Sequence, residues 1–183
     1  MTVPVLETKR LVLRQIEESD AEGLHGAFGN AETMRFWDFP TCRNVAETAA
    51  HIQQSRAVDP RWHGMWAILA RAGGFAGMIN YHRRETWNQR LELGVILTPQ
   101  YMRQGLMSEA MRSVLLCCFS KMETHRVEAT IAPEDFGSRV FLTKLGFIQE
   151  GLLRDWRCVN GQFRSVLMFS LLKNEWEAAE RLK

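Results

Sequence analysis

Residues 103–105, Arg-Gln-Gly, stand between a strand-like run that ends at Pro99 and a helix-like run that starts at Gly105. The chemistry on offer there is anion binding. Backbone N–H groups at a helix start have no intrahelical partners, and the helix dipole adds partial positive charge. A glycine lets the backbone come close to a ligand. Together these suit a diphosphate, although any strand-to-helix turn can carry a glycine. Neither G-x-x-x-x-G-K-[ST] nor a post-strand G-x-G-x-x-G occurs, so a P-loop nucleotidase and a Rossmann dinucleotide site are not supported. The histidines, His25, His51, His63, His82 and His125, show no paired spacing and receive no role. Cys42, Cys117, Cys118 and Cys158 form no C-x-x-C pair, so no metal or disulfide framework follows. They are expected to be buried or half-buried thiols in a reducing compartment.

The elements that must position this loop follow from hydrophobic spacing. Alternation in "RLVLRQI" predicts a half-buried strand with Leu11 and Leu13 on one face. Ser19 with Glu22 three residues on predicts a capping box and a helix, and Asn44 with Glu47 predicts a second. Two strand-like runs flank Gly73-Gly74 as a hairpin, and "RLELGVILTP" is a further strand. Apolar residues at 106, 107, 110, 111, 114, 115, 118 and 119 make a helical stripe. "HRVEATIA" is a strand, and "DFGSRVFLTKLGF" is a short helix ended by Gly146. Two strands joined by Asn160-Gly161 and a C-terminal helix complete the chain. Strand 91–97, helix 105–119 and strand 126–131 form a crossover, which demands parallel pairing. The order predicts an α+β domain spanning 1–183 around one mixed sheet of about seven strands.

Composition agrees with a globular domain: 183 residues, 46% apolar and a net charge of +2. No run approaches a membrane span, and no block of like charge suggests a nucleic-acid surface. The N-terminus lacks the pattern of a secretory signal, so a cytoplasmic protein is expected.

Four segments in order carry a resemblance that covers nearly the whole length: "LETKRLVLRQIEESDAEGL", "LELGVILTPQYMRQGLMSEAM", "DFGSRVFLTKLGFIQEGLLRDW" and "NGQFRSVLMFSLLKNEW". They resemble the GNAT superfamily of acyl-CoA-dependent N-acyltransferases, most closely the RimJ/RimL type. The resemblance implies the GNAT fold, with splayed central strands forming an acyl-CoA cleft. It implies acetyl-CoA as co-substrate, held by Val95, Ile96 and Leu97 at the strand end and by Gln100, Arg103, Gln104, Gly105, Leu106, Met107 and Ser108 in the loop and first turn. Asp135, Ser138 and Lys144 complete that set. In the family's loop pattern Gln100 fills the first place and Gly105 the last, while Arg103 replaces a glycine. There Arg103 either adds a contact to the diphosphate or crowds a position that needs positive φ. Asp135 replaces the usual Asn, and either faces the cofactor or caps the helix.

The activity implied is acetyl transfer to a primary amine by direct attack on the thioester. The amine belongs either to a protein N-terminus or to a small molecule. A non-catalytic acyl-CoA-binding module is the alternative, and a homodimer is left open. Glu92 is the first candidate base, with a cross-strand ion pair to an arginine as its other role. Asp155 is the second candidate base, or a solvated strand residue. A backbone N–H near Leu97 would stabilise the oxyanion. The tyrosine that many relatives use on the thiolate is Leu142 here, which leaves Ser138 as donor or as first-turn cap. Trp37 and Trp156 are either cleft walls or packing residues.

Overall fold

The structure is a computed structural model that describes residues 3–181. One eight-stranded sheet runs through it, in the order β1-β2-β3-β4-β5-β6-β8-β7. The strands are β1 (Leu6–Glu7), β2 (Leu11–Gln15), β3 (Gly64–Ala70), β4 (Phe75–Glu85), β5 (Arg90–Leu97), β6 (Arg126–Ile131), β7 (Ile148–Val159) and β8 (Gln162–Leu172). The helices are α1 (Ala21–Phe28), α2 (Ala31–Met34), α3 (Val45–Ala57), α4 (Leu106–Lys121), α5 (Phe136–Leu145) and α6 (Lys173–Glu180). The expected seven strands become eight because β1 pairs with β2 through only Leu6 and Glu7. Two residues are too few to show an alternation.

The two faces of the sheet bury different sets of side chains. Leu11, Leu13, Ile79, Leu91 and Leu93 join Met111, Val114 and Leu115 of α4 on one face. Met65, Met78 and Ile96 join Leu24 and Phe28 of α1 and Ile52 of α3 on the other. The predicted stripe of α4 is the face it buries. Val114 and Leu115 are fully enclosed, and each such side chain contributes about 1.5–3 kcal/mol.

Asn44 caps α3 as expected, its side chain accepting the Glu47 N–H at 3.0 Å. Ser19 does not cap α1. A single 3-10 turn precedes that helix, and Asp20 takes over by accepting the Glu17 N–H at 2.8 Å. Arg14 holds the Asp20 carboxylate from the other side with two 2.7 Å bonds, which fixes the acidic residue and not the serine at the turn.

The feature that makes a site is the junction of β5 and β6. They pair in parallel, Arg90–Glu92 against Arg126–Glu128. Beyond Glu92 the strands part: Leu93–Leu97 stay with β4, and Ala129–Ile131 stay with β8. Among the described residues no helix is long and apolar enough to cross a membrane.

Candidate active site

The loop after β5 forms a 3-10 turn at Pro99–Tyr101, and α4 begins behind Gly105. Gly105 is left-handed, with φ 73°, and caps the helix without a side-chain bond. The Glu109 N–H returns to the Gly105 carbonyl. The N–H groups of Leu106, Met107 and Ser108 therefore point out of the helix start with no intrahelical acceptor. Arg103 is exposed and also left-handed, with φ 59°. Gln104 donates to the Gln100 carbonyl at 2.8 Å, closing the loop on itself. Arg10 reaches in from the β1–β2 turn, donating to the Gln104 carbonyl at 2.9 Å and to Glu109 at 2.6 Å. The acidic residue in the first turn of α4 is thus neutralised, and the loop keeps its positive character.

A cavity of about 550 Å³ opens where β5 and β6 part. Leu93, Leu97, Met111 and Leu142 line it from the α4 face, and Phe28, Met65, Met78 and Ile96 from the α1–α3 face. It therefore passes through the sheet. The Thr98 N–H donates to Ala76 on β4 at 2.9 Å. Strand alternation then turns the N–H groups of Val95 and Leu97 away from β4, toward the side that β6 has vacated. Among the described residues these backbone donors have no strand partner on that side.

Glu92 is at the apex of the splay and is 2% exposed. Its carboxylate accepts from Arg83 of β4 at 3.1 Å, from Arg157 of β7 at 3.3 Å and from the Thr130 hydroxyl of β6. His82 Nε2 stands 3.5 Å from it. Burial raises the Glu92 pKa, but the His82 imidazole, the Thr130 hydroxyl and the Arg83 charge outweigh that and hold it at about 2. Glu92 is in the site, and its other expected role, a cross-strand ion pair, is the one its contacts show, with an arginine on each side.

Asp135 caps α5: its Oδ1 accepts the Ser138 N–H at 2.9 Å. Asp135, Ser138 and Leu142 line the cavity, and the Ser138 hydroxyl has no bonded partner among the described residues. Lys144 is exposed in the last turn of α5 and does not line the cavity. Asp155 is not brought into the site either. It sits at a β7 bulge with φ 49°, in a shallow cleft with Trp156, Leu152 and Ser165. The bulge turns residues 154–156 outward, while Arg157 returns to the cavity. Both tyrosines are committed elsewhere: Tyr81 donates to the Pro60 carbonyl and Tyr101 to that of Gly73.

Three further residues on the cavity were given no role from the sequence: Asn80, His82 and Arg157. They sit on β4 and β7, and only the sheet register brings them together, Asn80 opposite Gly94 and His82 opposite Glu92. Alternation would have placed Asn80 and His82 on one face of β4, but nothing in the sequence pairs that face with Glu92. Trp37 lines the cavity beside Phe28, Phe36 and Phe39, whereas Trp156 does not.

A strand-loop-helix with free N–H groups, a splayed parallel pair and a passage through the sheet define an acyl-CoA-type transferase site. Residues 10–148 match the family model "Acetyltransferase (GNAT) domain". The chain belongs to the GNAT family of acetyltransferases. It is 31% identical over 172 residues to the uncharacterized N-acetyltransferase YoaA of Bacillus subtilis, covering 93% of this chain and 97% of that one. Identity to the spermidine N(1)-acetyltransferase of Escherichia coli is 22% over 175 residues, covering 92% and 89%. The structure of RimL, a ribosomal L7/L12 α-N-protein acetyltransferase in complex with coenzyme A, superposes with a TM-score of 0.81 at 20% identity. That match covers 92% of this chain and 98% of RimL.

Proposed function

We propose that this enzyme transfers the acetyl group of acetyl-CoA to a single primary amine carried on an apolar or aromatic body, of the α-amine class, rather than to a polyamine. The observation that carries the acceptor class is that Glu92, the one fully buried carboxylate on the cavity, is already paired with two arginines. Glu92 holds Arg83 and Arg157, Asp38 lies 3.8 Å from Arg157, and Asp135 holds the Ser138 N–H. A polyamine would bring a second ammonium up against Arg83 and Arg157, whose buried counter-anion is already taken, and an unpaired buried charge is costly. The wall of Phe28, Phe36, Trp37 and Phe39 instead offers contact area to an apolar group.

In this reading the diphosphate lies on the N–H groups of Leu106, Met107 and Ser108, and the acyl arm runs along the vacated edge of β5. The thioester carbonyl takes a hydrogen bond from the Val95 or Leu97 N–H, which strengthens as the oxygen becomes anionic. The amine attacks from the aromatic side. The Ser138 hydroxyl, free and on the cavity wall, is placed to protonate the leaving thiolate.

A thiol-release assay over a panel of amines tests this. Dipeptide amides with a free α-amine and phenethylamine should turn over with kcat/KM well above that of spermidine. Preference for spermidine would overturn the acceptor class. Acetyl-CoA at millimolar concentration should raise the Tm, since a ligand that binds only the folded state stabilises it by mass action. An unchanged Tm would remove the cofactor site itself, and binding without turnover of any amine would leave a binding module in place of an enzyme.

A further inference from the structure

Among the described residues, two buried acceptor atoms on the cavity have no partner, Asn80 Oδ1 and His82 Nδ1; the one such donor there is Arg157 Nε, on β7. Both acceptors belong to β4, two residues apart on one face, and both line the cavity. Buried polar atoms are almost always bonded, and an exception calls for an explanation such as an absent ligand. Their neighbours make the explanation specific. His82 Nε2 faces Glu92 at 3.5 Å, the outer limit of a hydrogen bond. Glu92 is ionised and can only accept, so the imidazole proton belongs on Nε2. With a single ring proton, on Nε2, Nδ1 is a bare lone pair. Asn80 Oδ1 adds a second lone pair, in space that exists because Gly94 opposite it has no side chain: a Cβ there would fall 2.4 Å from that oxygen. Two unpartnered lone pairs on one face of β4 describe the complement of a protonated amine.

We propose that His82 is the proton acceptor for the incoming amine, that Asn80 Oδ1 holds the same amine in line, and that Glu92 is a positioning residue that fixes the His82 tautomer. The inference rests on the transfer reading above and deepens it. The substrate ammonium gives one proton to His82 Nδ1 and becomes a free amine. Its lone pair forms the C–N bond at the thioester carbonyl carbon, the C–S bond breaks, and the pair leaves on sulfur. The second nitrogen proton replaces the one that the thiolate takes from Ser138. His82 then returns its proton to water.

The charged and titratable groups around His82 come from every neighbouring element. They are Glu92 from β5, Arg157 from β7, Arg83 beside it on β4, and His63 ahead of β3, which burial pushes toward the neutral form. Asp38 reaches the group only through Arg157. None of them occupies Nδ1.

The test has a kinetic and a spectroscopic arm, both on the full chain. With a dipeptide amide as acceptor, His82→Ala should lower kcat by about 100-fold or more, the usual scale of a general base. It should leave acetyl-CoA binding by calorimetry unchanged, and added imidazole should restore part of the rate. The acid limb of the wild-type kcat profile should disappear in the variant. Asn80→Ala should raise KM for the amine more than it lowers kcat. Long-range ¹H–¹⁵N correlation of the imidazole should show the proton on Nε2 in the wild type and a mixture of tautomers in Glu92→Gln. A His82→Ala enzyme within threefold of wild type, or a proton found on Nδ1, overturns the His82 assignment while leaving the transfer reading intact. A wild type that binds acetyl-CoA and acetylates no amine overturns both.

Discussion

Arg10 and Glu109 join the first hairpin turn of the sheet to the first turn of α4, 2.6 Å apart, with the Arg10 backbone N–H adding a 2.8 Å bond to the same carboxylate. The Thr8 hydroxyl donates to it as well, at 2.6 Å. One side chain thus satisfies three donors and anchors the helix start that faces the cofactor. Glu109→Ala leaves those donors to water and frees the Arg10 side chain from its seat on Gln104. Stability should fall by about 1–2 kcal/mol, and the KM for acetyl-CoA should rise severalfold with kcat nearly unchanged. Thermal unfolding and initial rates check both.

Arg103 adopts φ 59° in the loop where the family's pattern has glycine. A left-handed conformation costs a residue with a side chain about 1–2 kcal/mol, and glycine avoids that at some entropic cost in the unfolded chain. Arg103→Gly should therefore leave the Tm unchanged or raise it slightly, whereas Arg103→Ala should lower neither the strain nor the Tm by much. Acetyl-CoA affinity separates strain from function. Weaker binding in both variants assigns Arg103 a contact with phosphate; tighter binding in the glycine variant shows that the arginine only crowds the loop.

All helices but the four-residue α2, and most strands, were legible, from end caps or from the period that a buried face leaves in the sequence. The stripe from Leu106 to Phe119 and the alternation at Leu11 and Leu13 are of that kind. The loop before α4 was legible as well, since Gly105 precedes the helix directly. The acceptor side was not. Glu92 reads as a lone carboxylate on a strand, and its partners His82, Arg83, Thr130 and Arg157 come from three other strands at separations of 9 to 65 residues. No local pattern encodes such a cluster; sheet order and register create it. Asp155 takes the solvated-strand role, because a bulge between Leu153 and Arg157 turns residues 154–156 outward.

Gly94 carries a prediction that needs no ligand to be measured. A methyl group there would meet Asn80 Oδ1 at 2.4 Å, well inside contact distance. Gly94→Ala must displace the Asn80 side chain, because the β4 and β5 backbones are locked in register on both sides of the pair. Overpacking of this kind costs about 1–3 kcal/mol. Turnover should fall with the amine KM rising, while acetyl-CoA affinity stays near wild type. A Gly94→Ala enzyme with normal amine KM would show that Asn80 plays no part in holding the acceptor.

Stability against acid should depend on Glu92. In the folded chain its pKa is held at about 2, against an ordinary value of 4.5. A folded-state value below the unfolded one means that the unfolded chain binds the extra proton first. The stabilisation is therefore complete above about pH 4.5 and is lost as pH falls toward 2, a linkage on the order of 3 kcal/mol. Glu92→Gln removes that titration and also leaves Arg83 and Arg157 without their anion, so it should lower the Tm at pH 7 and flatten its decline between pH 4.5 and 2. Glu150, held at about 2 by Arg126 on the far side of the sheet junction, keeps some slope in the variant. A Glu92→Gln protein whose Tm falls through that window as steeply as the wild type would show that the Glu92 carboxylate is not paired in solution as it is here.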